Sequence, residues 1–159
     1  MSGIISGGSA GVSPALSLSL NCGRDARAPR VNWHYAAGRS MDKINLAQKF
    51  SLFKEHWSPK IVAELNGQYV KLVKFSGEFV WHHHDHEDEL FLVVKGKLVM
   101  HFKERDVAVE EGEFIVVPRG VEHKPEAVGE AHVVLFEPKS TLNTGNVRNE
   151  RTLEELERV

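Results

Sequence analysis

Residues 81–96 read WHHHDHEDELFLVVKG, and residues 112–123 read GEFIVVPRGVEH. The first stretch carries His82 and His84, two positions apart, and then Glu89; the second closes on His123. In a β-strand residues i and i+2 point to one face, with Cα atoms roughly 6.6 Å apart, so two imidazoles at that spacing can close on one ion. His83 between them points the other way. Three imidazoles and one carboxylate in apolar, strand-like surroundings read as one metal site inside a small β-barrel. A three-His, one-carboxylate set without Cys suits an open, higher-coordinate divalent ion: Fe(II), Mn(II), Ni(II) or Co(II), with Zn(II) compatible on affinity. Positions left open on such an ion take water or a bidentate small molecule, and the ion supplies Lewis acidity or a bound nucleophile.

The flanking residues say how these groups are positioned. Asp85-His86-Glu87-Asp88 is charged and without apolar alternation, and reads as a connection. Glu89 opens the apolar run Leu90–Val94, a buried strand by composition. Lys95-Gly96-Lys97 reads as a tight turn into Leu98–Phe102. Phe114–Val117 is an apolar strand that stops at Pro118, Gly120 admits a backbone conformation other residues resist, and His123 begins the next strand. Further strands are predicted at Lys60–Leu65 and Tyr69–Phe75, around the hairpin signal Asn66-Gly67, and at Phe79–His84, Asp106–Val109, His123–Glu126 and Ala131–Glu137. Lys103-Glu104-Arg105-Asp106 reads as a hairpin tip. A short helix is expected within Asn45–Lys54, with Leu46, Phe50 and Phe53 on one side. Another is expected near Thr152–Leu156, where Thr152 and Glu155 have the capping-box form and Glu154 and Arg158 an i,i+4 pairing.

This pattern resembles the cupin superfamily. His82-x-His84, four residues, Glu89, six residues and Gly96 match the family's first motif, with Gly77 one residue closer than usual as its leading glycine. Gly112, Pro118, Gly120 and His123 match the second in register, with Ala127 where the family has Asn. The resemblance covers about residues 58 to 138 and is to small single-domain cupins of the cupin 2 type, similar to mannose-6-phosphate isomerase-like members. It implies an all-β fold, a double-stranded β-helix (the jelly-roll or cupin barrel), here with short flanking helices. It also implies one divalent transition metal (Fe, Mn, Ni, Co or Zn) on His82, His84, Glu89 and His123.

A second frame uses His84 and His86 with Glu89, only two residues further on; this is short for the family, and His86 sits in the charged connection. Asp88 is a weaker rival to Glu89. His83 and His86 are read as solvent-facing or supporting groups, and His101 as a packed or exposed strand residue. His34, His56 and His132 carry no pattern. Phe79, Trp81, Phe91 and Met100 are candidate walls of an apolar substrate pocket, against the plainer reading of ordinary core packing. No residue stands out as a dedicated base. The expected function is binding or turnover of a small metabolite at the metal. As an enzyme the protein would be an oxygen-dependent (dioxygenase-like) oxidoreductase or a sugar or sugar-phosphate isomerase; the alternative is a non-catalytic sensor or binding module. For a phosphate substrate Lys71, Lys74, Arg119 and Lys124 are the available cations, though strand parity does not gather them.

The 159 residues suffice for one core, divided as an extension at 1–40, a barrel at 41–138 and a tail at 139–159. Twenty Lys and Arg against 22 Asp and Glu give a net charge of −2, which argues against a nucleic-acid partner. A single Cys, Cys22, allows no intrachain disulfide and fits a reducing cytoplasm, and no apolar run reaches the roughly 20 residues of a membrane helix. The Gly/Ser-rich extension lacks the charged start of a secretory signal, and is expected to be flexible or dispensable to a barrel starting near Met41. Apolar groups in the flanks (Phe50, Phe53, Trp57, Leu153, Leu156) and the exposed sheet edges of a small barrel lead to the expectation of a homodimer.

Overall fold

The computed structural model describes residues 42–159. The expectations for residues 1–40, including Cys22 and His34, lie outside the described residues.

Two antiparallel strands, β1 (Lys60–Leu65) and β2 (Gln68–Glu78), meet at the Asn66-Gly67 turn. β3 (Glu89–Lys95) and β4 (Leu98–Phe102) follow on either side of Gly96, then β5 (Asp106–Val109), β6 (Phe114–Val117) and the long β7 (His123–Pro138). The main path of the sheet is β1-β2-β7-β3-β6, all antiparallel, with β4 and β5 joined through the first part of β7. β7 thus serves both sides of the barrel: His123–Ala127 pair with β4, residues His132 to Phe136 pair with β3, and β2 runs beside it from Glu126 to Pro138. The two strands expected at His123–Glu126 and Ala131–Glu137 are one bent element. Gly96 closes against the bend, since a Cβ there would sit 2.5 Å from the Glu130 carbonyl oxygen. That close approach explains why a glycine ends the first motif.

Strand parity fills the barrel. Val73, Phe75, Phe91, Val93, Leu98, Met100, Val117, Ala131, Val133 and Leu135 form the inner core. A second cluster lies on the outer face, where Phe50, Phe53, Leu72 and Val134 pack together. Phe50 comes from α1 (Leu46–Phe50), capped by Asn45, whose Oδ1 accepts from Gln48 N at 3.1 Å. Five residues cannot sustain a helix alone. Burial of Phe50 and Phe53, each worth about 1.5–3 kcal/mol, holds the segment to the sheet.

Two expected elements differ. Phe79–His84 is extended but forms no continuous ladder: it touches β7 at Phe79 N to Pro125 O and at a His82–His123 bridge. Its other side is held by side-chain and backbone contacts from Asn146 instead of a strand. The expected helix at Thr152–Leu156 does not form. Thr152 Oγ1 accepts from Asn149 N and meets Thr144 Oγ1, while Glu154 pairs with Arg148 and Arg158 with Glu64. The chain then runs extended along β1, with Ile61 N bonded to Glu157 O and Val159 N to Ile61 O. The free backbone groups of an edge strand are better partners for so short a segment than one helical turn. No helix among the described residues is long and apolar enough to cross a membrane.

Candidate metal centre

The two motif segments are laced together by their backbones. His82 N donates to His123 O at 3.0 Å, His123 N to His82 O at 2.9 Å, and Gly120 N to His84 O at 2.7 Å. Glu89 enters from β3, opposite Val117. His82, His84, Glu89 and His123 converge with one donor atom each, all within 4.8 Å of one another. Donors bound about 2.1 Å from one ion can be at most about 4.2 Å apart, so only a small contraction separates this arrangement from a coordination sphere. All four are buried, at 3, 5, 5 and 0 % exposure.

The hydrogen bonds fix which nitrogens face inward. His82 Nδ1 donates to Val80 O at 3.0 Å and His123 Nδ1 to Val121 O at 2.9 Å. A carbonyl only accepts, so both rings carry their proton on Nδ1 and present a bare Nε2 lone pair. Glu89 Oε2 stands 3.2 Å from His84 Nε2 and 3.6 Å from His123 Nε2. Neither contact has hydrogen-bond geometry, and all three atoms are buried without a hydrogen-bond partner. Inward lone pairs beside a carboxylate, sealed from water, are unfavourable unless a cation lies between them. The donor set therefore fits a divalent metal.

The electrostatics agree. Burial pushes the His82 imidazole down to about 4, and the neighbouring His123 ring adds to this, so the ring is neutral and ready to ligate at pH 7. Burial raises the Glu89 carboxyl, but the His123 and His84 rings beside it prevail and hold it well below its ordinary range. Burial pushes the Glu137 carboxyl well above its ordinary range, and the adjacent Glu89 charge adds to the rise.

The remaining candidates lie elsewhere. His86 is exposed and lines a surface cleft with Asp88, Glu89 and Arg119, but it is not among the four converging donors, so the frame that uses it is not the one that converges. Asp88 is exposed and holds Arg119. His83 turns outward to Asp85, and His101 sits between Asp106 and Glu126. His56 and His132 share Glu130. Next to the ligands is a cavity of about 340 Å³, counted to its open mouth and lined by Trp57, Pro59, Val73, Phe75, Phe79, Phe91, Pro125, Leu135 and Asn143 besides His82 and Glu89. Phe79 and Phe91 line this cavity. Trp81 and Met100 are not in its lining: Lys103 Nζ lies 4.1 Å from the Trp81 ring centroid, and Met100 is fully buried in the core.

Sequence reasoning missed Trp57, which stacks on Phe75 at 4.3 Å and Phe79 at 4.8 Å while its Nε1 donates to Ser76 O. It also missed Asn143, whose amide is committed to Arg151 O and Leu153 N. Both come from flanking segments without periodicity, and only the fold brings them to the cavity. Val73, Phe75 and Leu135 were legible from strand parity with Phe91.

Comparison with known proteins agrees with this geometry. Residues 69–137 match the Cupin_2 family, described as the cupin domain. A crystal structure of a cupin-2 domain containing protein from Shewanella frigidimarina NCIMB 400 is similar at 48 % identity, covering 60 % of this chain and 94 % of that one, with a TM-score of 0.60. Protein NMB1881 from Neisseria meningitidis is similar at 33 % identity, covering 62 % of this chain and all of that one, with a TM-score of 0.57. The uncharacterized protein YdbB of Bacillus subtilis (strain 168) is 38 % identical over 72 residues, 45 % of this chain and 64 % of that protein's length.

Proposed function

The chain belongs to the cupin superfamily, and on that footing we propose that it is a metal-dependent protein acting on a small, largely apolar metabolite that chelates the ion through adjacent oxygen atoms. The observation that carries this reading is the composition of the cavity wall. Apart from the metal ligands it is aromatic and aliphatic, with one amide already committed to the backbone. A ligand therefore finds its polar partners on the ion and its body against Trp57, Phe75, Phe79 and Phe91.

The same wall disfavours a sugar phosphate. Phosphate recognition calls for cations at the site, and none of the candidates lines the cavity. Lys71 is buried on Glu137, Lys74 donates to Phe53 O, Arg119 holds Asp88 and Lys124 holds Glu78. An isomerase would also need a side chain to move a proton, and the wall offers no uncommitted acid or base beyond the ligands themselves. Oxygen-dependent cleavage makes neither demand.

A bound divalent ion would supply Lewis acidity and open positions for a chelating substrate. His82, His84, His123 and Glu89 would hold that ion. The Nδ1 bonds to Val80 O and Val121 O keep the His82 and His123 rings oriented. The aromatic wall excludes water and presents a flat surface to a planar substrate. The second reading, a binding module without turnover, is favoured by the same lack of an acid–base group.

The test begins with metal. Purified protein should carry close to one transition metal per chain. His82→Ala, His84→Ala or His123→Ala should each weaken binding by more than about a hundredfold, beyond the loss typical of supporting residues. His86→Ala should leave binding intact. The Fe(II)-loaded protein should then bind planar ortho-dioxygenated compounds and take up oxygen with one of them, but not bind hexose phosphates. Binding without oxygen uptake or product selects the binding-module reading. Turnover of a hexose phosphate, or metal lost only in His86→Ala, overturns the proposal.

A further inference from the structure

One pair of charges inside the barrel remains without a role. Lys71 is 0 % and Glu137 1 % exposed, and Lys71 Nζ lies 2.7 Å from Glu137 Oε1. Their positions have the same parity as Val73, Phe75, Val133 and Leu135, which fill the interior with apolar side chains. Packing alone would be served as well by such residues, because a buried ion pair seldom stabilises a fold better than an apolar pair of the same volume.

The strand register shows what the pair adjoins. On the β3–β7 ladder Leu90 stands opposite Phe136, so the next pair toward the site sets Glu89 opposite Glu137. Both side chains are buried on the interior face. Directly opposed residues have Cβ atoms about 4.5–5.5 Å apart, within reach for two carboxyl groups. Lys71 takes only one oxygen of Glu137; Oε2 is buried with no hydrogen-bond partner, as is Oε2 of Glu89.

We propose that Glu137, held in place by Lys71, is a positioning residue for Glu89: it fixes the orientation of the one carboxylate in the metal set and so sets affinity for the ion. The proposal rests on the metal reading above. Lys71 anchors the Glu137 carboxyl from β2, and Glu137 limits the rotation of its neighbour on β3. Glu89 is then presented to the ion in one orientation.

Co(II) is a suitable probe, because both its affinity and its visible spectrum can be read in the full chain. Replacing both partners at once (Lys71→Met with Glu137→Leu) leaves no unpaired charge, and the melting temperature of the metal-free protein should not fall. Co(II) affinity should fall about 10–100-fold, as when an outer partner of a metal ligand is lost. In a Glu89→Ala background the same double change should alter affinity by less than about twofold, because the residue it positions is gone. Should the double variant not fold, Glu137→Asp carries the test. It keeps the charge for Lys71 but withdraws the carboxyl by one methylene, and should weaken Co(II) and shift its bands only while Glu89 is present. Unchanged affinity, or an equal loss with and without Glu89, overturns the proposal. A wild-type chain that binds no Co(II) defeats the metal centre and this proposal with it. A wild type that binds, with no coupling in the cycle, defeats this proposal alone.

Discussion

His82 links the metal site to the stability of the metal-free protein. Its ordinary value is 6.5, and burial, assisted by His123, lowers it to about 4. Between those values the unfolded chain binds a proton that the folded chain refuses, so His82 destabilises the fold progressively as pH falls through that window. The full effect is on the order of 3 kcal/mol. Metal-free His82→Gln should lose less melting temperature than wild type when the pH is taken from 6.5 to 4. Equal losses would mean that His82 is not the origin. The low value also means that His82 would have no proton to shed before taking a metal near neutrality.

At the scale of elements, the motif segment is held in place by a loop far away in sequence. Asn146 Oδ1 accepts from His83 N at 3.0 Å, and Asn146 N donates to His83 O at 3.0 Å. Gly145, with φ +54, lies so close that a Cβ would overlap the His83 carbonyl oxygen and come within 3.2 Å of the His82 ring. Gly145→Ala should therefore cost at least about 2 kcal/mol and weaken metal binding, because it displaces the backbone that carries His82. Gly129→Ala is the control: it has φ +85 but nothing within 4 Å of a Cβ, so only the backbone penalty of about 1 kcal/mol applies and metal binding should be untouched. Thermal melts and a metal titration of the two variants check this. A Gly145→Ala protein with normal metal affinity would mean the loop does not set the site.

For the whole molecule, the structure alters the basis for expecting a homodimer. Phe50 and Phe53 are buried within the chain, and Trp57 packs on the inner core, so these flanking groups need no partner. The β1 edge is followed by the tail, through Glu157 and Val159. β6 ends the main strand path on the other side, with Phe114 63 % and Val116 48 % exposed. A two-fold pairing across β6 would cover this edge and both side chains, and is the arrangement to expect. Light scattering should give twice the chain mass, and Phe114→Lys should return it to one. A monomer mass for wild type at every concentration would sink the expectation.

The sequence by itself determined which four donor side chains come together and most of the strands, because each depends on short-range rules. Alternation gives His82 and His84 one face, and the apolar runs at Leu90, Leu98 and Phe114 can be little else than strands. The frame using His82 rather than His86 was legible for the same reason, since a charged connection cannot bury a ligand. Only the tertiary structure decided what surrounds the four donor groups. Trp57 and Asn143 reach the cavity from opposite ends of the described chain, and no local pattern marks them. The helix expected at Thr152 gave way because an edge strand offered its tail better hydrogen bonds. Lys71 and Glu137 had the parity of core residues but not the chemistry. Their meeting 66 residues apart in sequence required the register of β2 on β7, which is a property of the assembled sheet.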